Sequence, residues 1–257
     1  MISSTLISLL TSCSGPNPHF PPTLLYNEGW MLRLILHWFS NRPDLEHPLA
    51  FPKDGTWFSE ALLPSPFLPR FRGDPLAESR THADGVIGHL AIGKQGKADV
   101  ELLSNGTHFV ICEAKIFSSL SGGVKNVTAY DQAARNVACI VEMIRRAGTD
   151  PAQLDRLGFY VLAPNIQIEA GIFATLMSKA NIQQQIELRV QQYQGGKDEW
   201  FRDWFGTIFP KVIVQAVAWE TLIGFISTVD QEYGRELQGF YDRCLLYNQA
   251  SHKRKQS

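Results

Sequence analysis

Residues 108–116 have the sequence HFVICEAKI, which predicts a β-strand that is apolar except for two charged side chains. Successive side chains of a strand point to opposite faces, so Glu113 and Lys115 share one face with Phe109. The small and apolar residues between them point the other way. A carboxylate and an ammonium group therefore leave the same face of an apolar strand, two residues apart.

Two further strands precede this one in the chain, and turn signals separate all three. Asn105-Gly106, a strong hairpin signal, stands before the third strand, and Gln95-Gly96 marks the turn before the second. The pattern predicts a meander of three successive strands over residues 84–92, 97–103 and 108–116.

The second predicted strand carries an acidic residue that bears on the first observation. A hairpin at Asn105-Gly106 would bring Asp99 beside Glu113. Two carboxylates on one small patch repel each other unless a cation lies between them. Oxygen ligands suit Mg²⁺ or Mn²⁺ rather than Zn²⁺. The spacing therefore predicts a divalent-cation site shared by Asp99 and Glu113.

Helices are predicted on either side of the meander. Residues 23–39 show a helical apolar stripe with Thr23 as N-cap, and residues 124–147 form a long helical pattern that Gly148 ends. The order of elements indicates a mixed α/β architecture with a central sheet between helices. The remaining predicted elements are a short helix over residues 55–63, strands over residues 157–162 and 211–219, a helical segment that ends at about residue 193, a short helix over residues 198–205 and a final long helix over residues 220–247.

The composition excludes several classes of protein. The 257 residues are 44% hydrophobic and 19% charged, which is typical of a folded globular chain and not of a disordered or fibrous one. A net charge of −1 argues against a generally basic nucleic-acid coat protein. The four cysteines lack a CxxC spacing, and no apolar run is long enough to span a membrane. We therefore expect free thiols in a cytoplasmic protein with no membrane partner.

The arrangement resembles the PD-(D/E)xK nuclease superfamily, which includes restriction endonucleases. Its motif is matched by Asp99, thirteen intervening residues and then Glu113-Ala114-Lys115, with Ala98 where the name-giving Pro would stand. The resemblance covers about residues 23–164. It implies an α/β fold with a restriction-endonuclease-like core of helix, three-strand meander, helix and strand. Residues 165–257 would add a strand and helices, all within one domain over residues 1–257.

The resemblance also implies a chemistry. Asp99, Glu113 and the backbone carbonyl of Ala114 would bind Mg²⁺ or Mn²⁺, and Lys115 would act on the attacking water. The reaction would be hydrolysis of phosphodiester bonds, with DNA as the partner. The chain would then be a hydrolase, a metal-dependent deoxyribonuclease.

Two further residues fit this family pattern. Glu28 falls in the middle of the apolar stripe of the first helix, where a buried carboxylate is costly unless it is paired or binds a metal. Gln132 lies on the helix after the third strand and shares a face with Arg135 at the i, i+3 spacing. The resemblance implies that Glu28 supports the metal site and that Gln132 orients the site or the substrate.

A nuclease with a net charge of −1 needs local clusters of positive charge to bind the phosphates of its substrate. Basic residues around the predicted strands and the following helix could contact phosphates. The candidates for substrate binding are Arg80, Lys94, Lys97 and Arg135.

Several alternatives stay open at this point. Asp84, on the first predicted strand, is a second candidate for the first acid of the motif. The chain could instead be a catalytically silent nuclease-like module that binds DNA or assembles with a partner. In a third reading the charges form an ordinary ion-paired sheet face, in which Asp99 and Glu113 pair with Lys97 and Lys115. A homodimer would suit cleavage of both strands, and endonuclease and exonuclease action are both compatible with the sequence.

Overall fold

The computed structural model describes residues 2–16, 18–46, 49, 51–93, 96–123 and 130–256, with side chains up to residue 249. Seven strands and eight α-helices lie within these residues. The strands are β1 (Thr56–Leu63), β2 (Thr81–Gly88), β3 (Leu90–Ile92), β4 (Val100–Leu102), β5 (His108–Ala114), β6 (Arg156–Ala163) and β7 (Val212–Ala218). The helices are α1 (Ile2–Ser12), α2 (Glu28–Ser40), α3 (Gln132–Ala147), α4 (Asn165–Glu169), α5 (Lys179–Gln191), α6 (Gly206–Ile208), α7 (Trp219–Val229) and α8 (Gln231–Gln256).

The central sheet has five strands in the order β1-β2-β5-β6-β7. Its first three strands pair antiparallel, and its last three pair parallel. The short strands β3 and β4 pair antiparallel in a separate two-stranded sheet. The chain is thus an α/β protein with a mixed sheet flanked by helices, as the order of predicted elements indicates.

Apolar side chains cover both faces of the central sheet. On one face α3 packs against the sheet, and α5 packs against α3; we name this cluster the α3-side core. On the other face α2, α7 and α8 form the α2-side core. Members of the α3-side core include Val86, Phe109, Ile111, Val137 and Phe159. Members of the α2-side core include Leu32, Ile35, Val110, Tyr160 and Leu222.

The C-terminal helices are hydrogen-bonded to elements near the start of the chain. The hydroxyl of Tyr233 in α8 donates to the carbonyl of Leu34 in α2 at 3.0 Å. The Asn248 amide of α8 donates to the carbonyl of Tyr26 at 2.8 Å. Residues beyond 164 are therefore bound closely to the elements of the predicted core.

Two predictions about strands are wrong. Residues 55–63 do not form a short helix, because they contain β1, an edge strand of the sheet. The strand predicted over residues 97–103 does not pair with the strand at 108–116. Only β4 forms there, and it pairs with β3, while β5 pairs with β2 and β6.

Helix boundaries differ from the predicted ones where local capping decides them. The first predicted helix begins at Glu28 instead of residue 23, because the Asn27 side chain accepts the N–H of Trp30 as N-cap. The helix predicted from residue 124 begins at Gln132 with Asp131 as N-cap, and residues 124–129 lie outside the described part. The final predicted helix is two helices, since α7 ends before Asp230 and α8 begins after it.

Two further observations concern the state of the cysteines and the hydropathy of the helices. All four cysteines are buried and free, as predicted. Among the described residues, no helix has both the length and the apolar character required to cross a membrane.

Candidate functional site

The candidate site lies where β2 and β5 separate. The last paired residues of these strands are Gly85 and Cys112, and the next residue on each strand is acidic, Asp84 and Glu113. The Asp84 Oδ2 atom accepts the backbone N–H of Ala114 at 2.8 Å. The Asp84 side chain thus takes the place of a backbone acceptor from β2, and its carboxylate lies against the end of β5.

Glu113 is almost fully buried, with 2% of its surface exposed. Its Oε1 atom accepts from the ammonium group of Lys115 and from the side-chain amide of Gln132. Its Oε2 atom is buried and has no hydrogen-bond partner. Because both donors bind one oxygen, the other oxygen of this carboxylate lacks a donor or a cation.

Gln132 is fixed in the orientation that places its donor on Glu113. The backbone N–H of Ser121 donates to the Gln132 side-chain carbonyl at 3.1 Å. Since the carbonyl end of the amide faces Ser121, the NH₂ end faces Glu113. The backbone N–H of Gln132 also donates to the carbonyl of Ser121 at 3.0 Å, so the loop after β5 and the start of α3 are joined twice.

A buried aspartate anchors the same end of α3. Asp131 is fully buried, and its Oδ1 atom accepts the N–H of Ala134 as the N-cap. Its Oδ2 atom accepts from the side-chain amides of Asn181 and Gln185 in α5. Helix α5 therefore holds the first turn of α3, from which Gln132 reaches the site.

The electrostatics of the site disfavour two charged carboxylates without a cation. Burial raises the pKa of Glu113 above its usual range, and the nearby charge of Asp84 raises it further. Lys115 and Gln132 oppose this rise through charge and hydrogen bonds. A proton or a cation on Glu113 relieves the remaining repulsion from Asp84.

The oxygen atoms at this site meet part of what a hard divalent cation requires of its ligands. The unpartnered Oε2 atom of Glu113, the carboxylate of Asp84 and the backbone carbonyl of Ala114 offer the oxygen ligands that Mg²⁺ and Mn²⁺ prefer. A Mg²⁺ ion commonly keeps several waters and needs only one or two protein carboxylates. Within the described ranges there is no group of three His, Cys, Asp or Glu side chains that could hold a metal.

The expectation that Asp99 lies beside Glu113 is wrong. The Asp99 carboxylate forms an ion pair with Arg80, and its backbone forms a bridge to Leu62 of β1. Two strands, β1 and β2, therefore lie between Asp99 and the strand of Glu113. The structure places the alternative acid, Asp84, beside Glu113, because β2 rather than the strand at residues 97–103 is the neighbour of β5.

Glu28 is the first residue of α2. Leu32 and Leu36 of the same helix lie over Gly85, where an added Cβ would be 2.9 Å from each of them. Glu28 is one turn before Leu32 on this helix face. It is half-buried and raises the pKa of the Cys244 thiol, which burial raises more strongly, to about 12. Its predicted role in supporting a metal stays a prediction.

The basic residues predicted to bind substrate have different surroundings. Arg80 pairs with Asp99, and Arg135 lies 3.5 Å from Glu78 with 13% of its side chain exposed. Lys97 is exposed, and Lys94 lies outside the described residues. The structure thus places Arg135 in a buried ion pair rather than on a surface that phosphate could reach.

The alternative of an ordinary ion-paired sheet face requires two ion pairs, Glu113 with Lys115 and Asp99 with Lys97, and the structure contains the first of them. Glu113 does bind Lys115, but Asp99 binds Arg80 instead of Lys97. That reading gives no reason for a second, half-buried carboxylate, that of Asp84, at the end of β5. Sequence reasoning missed the anchoring role of Asp131, although an Asp directly before a helical pattern is a typical N-cap signal.

Comparison of the chain with protein-family models, with curated proteins and with solved structures found no match in any of the three. The assignment of this site therefore rests on its own geometry and chemistry.

Proposed function

We propose that this protein is a metal-dependent phosphodiesterase that hydrolyses DNA, with a restriction-endonuclease-like core of the PD-(D/E)xK type. The observation that carries the proposal is the position of Asp84 and Glu113 at the separation of β2 and β5, with Lys115 and Gln132 bound to Glu113. The order of α2, the antiparallel strands β1, β2 and β5, then α3 and β6 supports the same proposal.

In this proposal Asp84, Glu113 and the carbonyl of Ala114 hold Mg²⁺ or Mn²⁺. A bound divalent ion supplies Lewis-acid chemistry at the scissile phosphate and favours ionisation of water. Asp84 takes the role that the sequence motif gave to Asp99, because it is the acid that lies beside Glu113.

Lys115 and Gln132 both bind the carboxylate of Glu113, and each has its own role. The Lys115 ammonium group, with 12% of its side chain exposed, lies on Glu113, where it offsets negative charge on a phosphate and orients the attacking water. Gln132 keeps Glu113 in one rotamer through its two-ended contact with Ser121. DNA as substrate follows from the resemblance in the motif.

The test is a cleavage assay with purified protein on linear duplex, closed circular duplex, single-stranded DNA and RNA of the same sequence. Each substrate is incubated with Mg²⁺, with Mn²⁺ and with EDTA, beside Glu113→Gln and Lys115→Ala. We expect metal-dependent cleavage of DNA that both variants lose, and cleavage of the circle would assign endonuclease action. Absence of cleavage together with absence of Mn²⁺ binding in calorimetry would overturn the proposal.

A second outcome would favour the silent module instead. Tight DNA binding without cleavage, unchanged in Glu113→Gln, would assign the protein to that class.

A further inference from the structure

Strand β1 contains a break in its backbone at Glu60. This residue has φ of +56°, in the left-handed region that non-glycine residues rarely adopt. The other described non-glycine residues with positive φ, Asp54 and Gln194, lie in turns. Glu60 is thus the one such residue of the described chain that lies inside a strand, and something must hold it there.

The break shifts the alternation of side chains in two strands. Residues three apart in a regular strand point to opposite faces. Phe58 and Ala61 of β1 nevertheless both contact the α3-side core, and so do Val86 and Ala83 of β2. Both strands therefore change face at the same level of the sheet.

That level is where the candidate site begins. Glu60 and Asp84 are the residues between the paired positions Ser59↔Gly85 and Ala61↔Ala83. The pairing of β2 with β5 ends at Gly85. The first half of β2 therefore pairs with β1 alone, and this frees the space in which Asp84 accepts the N–H of Ala114.

Arg33 of α2 holds the break in place. Its Nε atom donates to the Ser59 hydroxyl at 3.0 Å, and its Nη2 atom donates to the Glu60 carboxylate at 3.0 Å. Consecutive residues of a regular strand could not present both side chains to one helix. The left-handed φ of Glu60 makes this double contact possible, and Arg33 in turn stabilises that φ.

We propose that Glu60, held in the left-handed conformation by Arg33, is a positioning residue that separates β2 from β5 and sets the spacing of Asp84 and Glu113 for a divalent cation. This inference rests on the proposed metal-dependent function. The backbone conformation of Glu60, rather than its carboxylate, is what sets the positions of Asp84 and Glu113.

Glycine separates these two roles, because it adopts positive φ without strain and has no side chain. The experiment measures Mn²⁺ affinity by calorimetry in the full-length wild type, Glu60→Gly and Glu60→Val. We expect Glu60→Gly to keep the affinity within about twofold and Glu60→Val, whose β-branched side chain resists positive φ, to lower it at least about tenfold. Gln194→Val is the matched control, since it places the same strain in a turn and should leave the affinity unchanged.

Two further variants keep the test decisive if Glu60→Val does not fold. Arg33→Ala removes both bonds to β1 and should weaken Mn²⁺ binding. Combined with Glu60→Gly, the same change should have no effect on binding, because glycine needs no support at this φ.

The outcomes distinguish this proposal from the one on which it rests. Equal loss of affinity in Glu60→Gly and Glu60→Val would show that the carboxylate acts directly, and wild-type affinity in Glu60→Val or in Arg33→Ala would show that the break is irrelevant. Either result overturns the positioning role alone. Absence of Mn²⁺ binding by the wild type would overturn the proposed function, and this inference with it.

Discussion

The carboxylate of Asp84 accepts the backbone N–H of Ala114 at 2.8 Å, at the point where β2 and β5 no longer pair. This contact distinguishes Asp84 from Asp99, which binds Arg80 on the far side of β1. It leads to the first prediction.

Replacement of Asp84 by Asn should lower Mn²⁺ affinity more than about tenfold, since a ligand charge is lost. The Asn carbonyl can still accept the N–H of Ala114, so the fold should be retained. Asp99→Asn is the matched control, and we expect it to keep the affinity within about twofold. It should destabilise the protein by about 1–2 kcal/mol, because Asp99 is largely buried while Arg80 keeps access to water. Calorimetry that shows the larger loss in Asp99→Asn would contradict this assignment.

Replacement of Lys115 by Met should separate chemistry from metal binding. We expect single-turnover cleavage to slow by about 10²–10⁴-fold, because the group that orients water and offsets phosphate charge is lost. Mn²⁺ affinity should stay the same or rise, since the competing cation on Glu113 is removed. Lys53→Met, which changes an exposed lysine that is no candidate for substrate binding, should alter neither quantity. A parallel loss of Mn²⁺ affinity and cleavage in Lys115→Met would refute the separate role.

Replacement of Asp131 by Ala should destabilise the protein by about 2–4 kcal/mol, measured by urea unfolding. The change removes a fully buried N-cap and leaves the amides of Asn181 and Gln185 without their shared acceptor. Asp150 caps an exposed turn through the N–H of Ala152, and Asp150→Ala should cost about 1 kcal/mol or less. Similar costs for the two substitutions would show that the contact between α3 and α5 adds nothing.

Stability should fall as the pH decreases from about 6.5 to about 4, in part because of His108. Burial lowers the pKa of His108 to about 4, and the charges of Arg156 and His89 act in the same direction. The unfolded chain therefore binds a proton near pH 6.5 that the folded chain refuses until about pH 4. This difference amounts to roughly 3 kcal/mol at most. His108→Gln should flatten the urea-derived stability profile over this interval, and an unchanged slope would contradict the assignment.

The local pattern predicted the strand of Glu113 and Lys115 well, because strict alternation places both on one face. The family resemblance implied that Gln132 orients the site, and the structure places its amide on Glu113. These features depend on neighbours within one element or on a helix that follows directly, so the sequence around them contains most of the information.

The first strand of the sheet was missed for a physical reason. A left-handed residue at Glu60 shifts the alternation of β1, so no period of two runs through residues 55–63. Glu, Ala and Leu in this segment also have high helix propensity. The resulting pattern favours a short helix even though the segment is an edge strand.

The expectation that Asp99 lies beside Glu113 failed because it depended on strand order. Asn105-Gly106 is a strong local hairpin signal, yet β4 pairs backward with β3 and leaves β5 free to pair with β2. Pairing partners are settled by the packing of whole faces, and no turn dipeptide contains that information.

The bonds that join α8 to residues near the start of the chain have a consequence for biosynthesis. Tyr233 and Asn248 bind backbone carbonyls of Leu34 and Tyr26, so partners about 200 residues apart meet in one cluster. During translation α2 leaves the ribosome long before α8, so the apolar face of α2 lacks this cover until α8 has been made. We expect the nascent chain to depend on chaperone protection until α8 has emerged, and ribosome-bound intermediates that lack α8 to be sensitive to protease.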